Sequence, residues 1–190
     1  MTLARQEVQL AVIGALRLAC GDARGMRYFD TSLDGFWRSF RAAALCYPLY
    51  LILLGFRVTD AEWAQSGVAT IVLVETIAYV ISWVAFPLLI MPLTRAFGRP
   101  ERFLGFMVAY NWSQLPQTAL LLFIGLNRVT GLLPTPGSEF AELVGTCAII
   151  VYEWYIARVA LSVTGMQAVL VVLVDLVLAA VLGQITEGLY

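Results

Sequence analysis

The 190-residue chain contains no histidine and no lysine, only three cysteines, and charged residues at just 13% of positions. Each shortage excludes a class of chemistry. Without histidine there is no imidazole metal ligand, no triad with histidine as base and no imidazole pH switch. A net charge of -1 gives no basic surface for nucleic acid. Cys20, Cys46 and Cys147 lie far apart in sequence, with no CxxC pair or disulfide framework, and read as small hydrophobes. No GxGxxG, P-loop, HExxH or GxSxG string occurs. An intramembrane protease needs paired Asp, or Ser with His, and neither Ser39 nor Ser82 has a base in sight. The expectation is a non-enzymatic protein without metal or cofactor.

What the chain has in place of charge is apolar surface. Hydrophobic residues make up 61%, and the mean hydropathy is +0.83. Soluble domains are about 45–50% apolar and about 25% charged. Folding at this size hides only ~70% of the unfolded surface. Such a composition excludes an ordinary soluble enzyme and excludes disorder. The solvent for most of this chain is lipid.

A bilayer-crossing helix needs about 20 apolar residues. Windows of that length predict an all-α, polytopic membrane bundle with five transmembrane helices, at 36–56, 67–90, 103–126, 140–163 and 165–185. The twelve basic residues, all Arg, orient it. Arg5, Arg17, Arg24, Arg27, Arg38, Arg41, Arg95, Arg99, Arg102 and Arg158 fall on one side, against Arg57 and Arg128 on the other. Basic residues are retained on the cytoplasmic side. The reading is therefore a cytoplasmic-membrane protein, N-inside and C-outside, with no cleaved signal peptide.

Residues 1–35 form a separate cytoplasmic segment, an interfacial or core-packed helix over 3–20 followed by a turn at Gly21–Gly25. Thr31-Ser32-Leu33-Asp34 fits a capping box at a helix start. Phe36, Trp37, Arg38, Phe40 and Arg41 at the entrance of the first span read as interface anchors. The alternative for these five is binding of an anionic lipid or a partner. Residues 127–138 read as an irregular external loop, and 162–165 as a tight antiparallel hairpin.

Ionisable groups at membrane depth cost about 2.5–3.5 kcal/mol each on insertion scales, so they are where function is sought. At ~1.5 Å per residue, Glu153 and Asp175 both lie ~15 Å from the inner edge, on the two arms of one hairpin. Asn111 and Gln114 come to ~12 and ~16 Å, Arg158 to ~7 Å, and Glu75 to roughly two turns from the outer edge. Two carboxylates at one level in low dielectric do not both ionise cheaply. Either one keeps a proton or a cation sits between them. Three readings follow: a polar network that glues helices together, a proton or cation pathway, or a lipid or small-ligand site. Arg158 is rotated about 140° from Glu153, so it would reach Asp175 or a third helix more easily. Pro48, Pro87, Pro92 and Pro116 each remove a helix N–H, and Gln114 and Gln117 flank the last of these.

The N-terminal helix, the Gly21-Asp22-Ala23-Arg24-Gly25 turn, Phe29 and five spans with Pro48 in the first resemble bacterial members of the Yip family. Those are small five-span proteins with a cytoplasmic N-terminus. The DLYGP-type motif of the eukaryotic trafficking members is absent, the nearest string being Tyr28-Phe29-Asp30. The resemblance implies a membrane scaffold or interaction protein, with lipids, other membrane proteins or further copies of the chain as partners. It carries over no site residue. The alternative is a small channel or a proton- or cation-coupled transporter using the midplane carboxylates.

Overall fold

The structure is a computed structural model that describes residues 2–190. Met1 and the side chains before Gln6, that of Arg5 included, lie outside the described residues. Helix makes up 87% of the chain, and no strand occurs among the described residues. Helix α1 (Thr2–Ala19) leads through a 3-10 turn (Ala23–Tyr28) to α2 (Leu33–Ser39) and α3 (Arg41–Arg57). A short α4 (Asp60–Ser66) precedes α5 (Val68–Ala96). A 3-10 turn (Pro100–Arg102) then opens α6 (Phe103–Thr130), followed by α7 (Thr135–Leu161) and α8 (Gly165–Glu187).

Four of these are long and apolar enough to cross a membrane: Leu33–Arg57, which joins α2 to α3 through a bend at Phe40, and α5, α7 and α8. Their outward faces show why lipid must surround them. Leu73, Ile77, Val80, Val84 and Leu88 on α5, and Leu173, Val177 and Val181 on α8, are exposed. Helical faces this apolar do not persist in water.

Helix α6 is as long as its neighbours but more polar, and it occupies the middle. It packs against α1, α2, α3 and α7, while α8 lies between α7 and α5. Its buried face carries Phe103, Phe106, Met107, Asn111, Trp112, Ser113 and Gln117. Polar side chains are tolerated there because protein, rather than lipid, surrounds them. Pro116 does not break the helix. Gln117 Nε2 donates to Ser113 Oγ at 3.2 Å, so its amide is spent on a neighbouring side chain rather than on a freed carbonyl.

The N-terminal helix is docked on the bundle. Ala11, Ala15 and Leu18 are buried against α6 and α7 at the i, i+4, i+7 spacing of one face. The opposite face leaves Leu10, Ile13 and Leu16 exposed. Tyr152 on α7 donates its hydroxyl to the Ala15 carbonyl at 2.7 Å, and Tyr155 to the Gly21 carbonyl at 2.5 Å. Two glycines allow α1 and the following 3-10 turn to cross in backbone contact. A Cβ on Gly25 would stand 2.5 Å from the Gly14 carbonyl oxygen.

Local details differ from the sequence expectation in two places. The cap before α2 is Ser32 accepting from the Gly35 N–H at 3.0 Å, with Asp30 accepting from the Ser32 N–H. A box on Thr31 and Asp34 does not form, because the helix starts one residue later than that motif requires. The irregular loop expected over 127–138 shrinks to residues 131–134. Gly131 ends α6 in a left-handed conformation, and Pro134 and Pro136 begin α7, where a missing N–H costs nothing.

Candidate intramembrane polar site

The hairpin between α7 and α8 sets the geometry. Ser162 takes the left-handed conformation that turns the chain, with φ of 54°. Thr164 then caps α8 in a reciprocal box with Gln167. The two helices run antiparallel in contact. Glu153, eight residues before the end of α7, lies ~12 Å above the turn, and Asp175, ten residues into α8, ~15 Å above it. Glu153 and Asp175 are neighbours across the hairpin, close enough for each carboxyl to act on the other.

Tyr110 of α6 completes the group, donating its hydroxyl to Asp175 Oδ1 at 2.7 Å. Phe86 of α5 stacks on the Tyr110 ring at 4.1 Å between centroids and holds it in place. A cavity of about 210 Å³ opens beside this group, and Asp175, Tyr110, Asn111, Gln114 and Ser82 supply its polar wall. Glu153 does not line the cavity and is 7% exposed. Two neighbouring carboxylates repel each other strongly where water is scarce. The pair is stable when it shares a proton or holds a cation.

The other sequence candidates divide. Asn111 Nδ2 donates to Ser39 Oγ at 2.8 Å, and Ser39 Oγ donates to the Phe36 carbonyl at 2.7 Å. Asn111 thus ties α6 to the end of α2 while bordering the cavity. Gln114 lies on the cavity wall one turn from Tyr110. Arg158 is exposed, its guanidinium 5.2 Å from the centre of the Trp154 ring, and makes no ion pair among the described residues. The arrangement in which Arg158 neutralises a midplane carboxylate does not occur.

Glu75 belongs to a second group nearer the other end of the bundle. It is 2% exposed and accepts from Arg57, from the Tyr50 hydroxyl and from the Tyr190 hydroxyl, the last at 2.6 Å. Ser66 Oγ also holds the Tyr190 carbonyl at 3.0 Å. Tyrosines knit α3 to α5 below this point: Tyr79 donates to the Ala43 carbonyl at 2.8 Å, and Tyr47 pairs with Thr76 at 2.7 Å.

At the entrance of the first span the five aromatic and basic residues separate. Trp37 is exposed, whereas Phe36 and Phe40 turn inward and pack edge to face, with Phe36 also against Phe103. Arg38 binds Glu7 at 2.7 Å and pairs with Asp30; Arg41 lies 3.5 Å from Glu7. Glu7 of α1 therefore clips the N-terminal helix to the first apolar helix. Outside the apolar helices, two aspartates are held below their ordinary range. For Asp22 the cause is donation from Arg24; for Asp30 it is donation from Ser32 and the nearby Arg38.

Sequence reasoning missed Tyr110, Tyr50, Tyr190, Arg57 and Glu7. Tyr110 carried a signal, being four residues from Gln114 and so on the same helical face. The partners of Glu75 come from two segments far from it in sequence, α3 and the residues after α8, and left none. No family model matches the chain, and no curated protein or solved structure is significantly similar to it.

Proposed function

We propose that the protein is a five-span integral protein of the cytoplasmic membrane, N-terminus inside, that binds and passes protons at the Asp175–Glu153 pair. The observation that carries this reading is the cavity at Asp175. A carboxyl that only glued helices together would be packed against its partners on every side. Asp175 instead faces open space with Ser82, Asn111 and Gln114 around it, and has a second carboxyl, Glu153, as a neighbour. Tyr110 orients Asp175, and Glu153 is the group with which a proton is exchanged.

The fifth span in this reading is α6, about 42 Å long at 28 residues. Alternating helix directions then place ten Arg at the end carrying α1 and two, Arg57 and Arg128, at the other. That imbalance supports an N-inside orientation. A reporter fused after Tyr190 should report the external side; a cytoplasmic signal removes the topology.

A membrane scaffold or interaction protein is the second reading. It is favoured by the completeness of the polar pairing, since no buried side-chain polar atom among the described residues lacks a partner. Purified protein in liposomes separates the two. A pH gradient should collapse faster with the wild type than in empty vesicles, and Asp175→Asn should slow this at least tenfold while the protein still elutes as a folded species. Equal rates for wild type and Asp175→Asn leave only the scaffold. Collapse that requires sodium replaces the proton with a monovalent cation.

A further inference from the structure

The cavity at Asp175 does not stand alone. A second cavity, of about 170 Å³, lies along the same seam between α5 and α8, walled by Glu75, Tyr79, Ser82, Ala179, Gly183 and Thr186. Ser82 and Ala179 line both cavities, so the two lie next to each other with these side chains between them. The seam stays open because its residues are small at helical spacing. Ala78 and Ser82 lie one turn apart on α5, and Ala179 and Gly183 one turn apart on α8. A Cβ built on Gly183 would meet nothing within 4 Å. At ~30 Å³ per water, the cavities of about 210 and 170 Å³ have room for about seven and about six molecules.

The path is directional. From Asp175 to Thr186 is eleven residues of α8, ~16 Å, the outer half of a ~30 Å hydrocarbon core. On the other side of Asp175 the bundle is dense: Met107, Ile156, Ala157 and Leu161 are fully buried. At the far end the path meets Glu75, to which Arg57, Tyr50 and Tyr190 all donate.

We infer that the α5–α8 seam is a water-filled half-channel that leads from the Arg57 end of the bundle to Asp175 and stops there, with the Glu75–Arg57–Tyr190 cluster as the closure at its mouth. The inference rests on the reading of Asp175 as the proton site. It names the side from which that site is supplied and the contacts that must part to admit water.

The test is the sidedness of thiol labelling, in a background where Cys20, Cys46 and Cys147 are replaced by Ala. The probe is a charged, membrane-impermeant methanethiosulfonate reagent. Ser82→Cys and Gly183→Cys should react at least tenfold faster from the Arg57 end, in right-side-out vesicles, than in inverted ones. Adding Tyr190→Ala should raise both rates severalfold. Val84→Cys, on the lipid-facing side of α5, should stay unlabelled. Equal rates from both faces, no reaction at either seam position, or Val84→Cys reacting as fast as Ser82→Cys overturns the half-channel. Labelling reads the route and proton flux reads the site. One-sided labelling with flux indifferent to Asp175→Asn would keep the route and remove the proton reading. Flux that depends on Asp175 without labelling would do the reverse.

Discussion

The Glu75 side chain is only 2% exposed, and its three donors make its energetics open to measurement. Arg57, Tyr50 and Tyr190 each give it a bond to a charged acceptor, and such bonds contribute about 1.5–3 kcal/mol when deleted singly. Removing one partner of a fully buried ion pair costs about 3–5 kcal/mol, because the other charge is stranded. Arg57 is 48% exposed, so water and counterions replace part of what it supplies, and Arg57→Ala should fall below that range, near 2 kcal/mol. Tyr190→Phe should cost about 1–2 kcal/mol and Glu75→Gln a similar amount, since Gln still accepts from the tyrosines. The informative quantity is the coupling. Once Glu75 is Gln, Arg57→Ala should cost little, leaving an interaction of about 1–2 kcal/mol in the double-mutant cycle. Thermal unfolding in detergent micelles, or unfolding by graded SDS, reads all four corners. Additivity of Arg57→Ala and Glu75→Gln within about 0.5 kcal/mol would refute the pairing and, with it, the closure drawn at the mouth of the seam.

Three other outcomes are expected. Gly25→Ala forces a methyl against the Gly14 carbonyl, a backbone atom that does not move away cheaply. It should destabilise by about 1–3 kcal/mol and make the α1 segment a preferred site of limited proteolysis. Tyr152→Phe leaves the Ala15 carbonyl without its buried donor and should cost about 1 kcal/mol by thermal unfolding. Asp22 and Asp30 have carboxyls lowered in the folded state, so what their charge contributes is fully present above the unfolded value of about 3.9. It is lost as pH falls below that value through the folded one. Hydrogen exchange should therefore show residues 21–33 opening in acid while α5 and α8 keep their protection.

The apolar helices were legible because their information is one-dimensional. The window at 165–185 lies inside Gly165–Glu187, and 36–56 inside Leu33–Arg57. Each is a continuous apolar run, and the run needs no knowledge of its neighbours. The proximity of Glu153 and Asp175 follows from the short turn, since two arms of a tight hairpin keep equal heights in register. What could not be read is rotation. Whether Phe36 faces lipid or Phe103, and whether Arg158 faces a carboxylate or Trp154, depends on azimuths that hydropathy does not encode when every face is apolar. The cavities were illegible for a related reason. They arise where Ala78, Ser82, Ala179 and Gly183 happen to confront one another, and small residues look alike in sequence whether they pack tightly or leave a gap. The family resemblance rests on layout, which constrains neither azimuth nor cavity.

The central position of α6 carries a consequence for how the protein is made. Its polar face suits protein neighbours, and one of them, α7, lies after it in the chain. If α6 is the fifth span, as proposed, it enters the membrane from the ribosome with Asn111, Ser113 and Gln117 uncovered on the side that α7 will later occupy. A segment with that face has a weak preference for lipid by itself. Its integration on the five-span reading becomes a shared event, secured by the first apolar helix already in place and completed by the hairpin that follows. Chains truncated before α7 should leave α6 accessible to glycosylation tags from either side, whereas the full chain should hold it in one orientation.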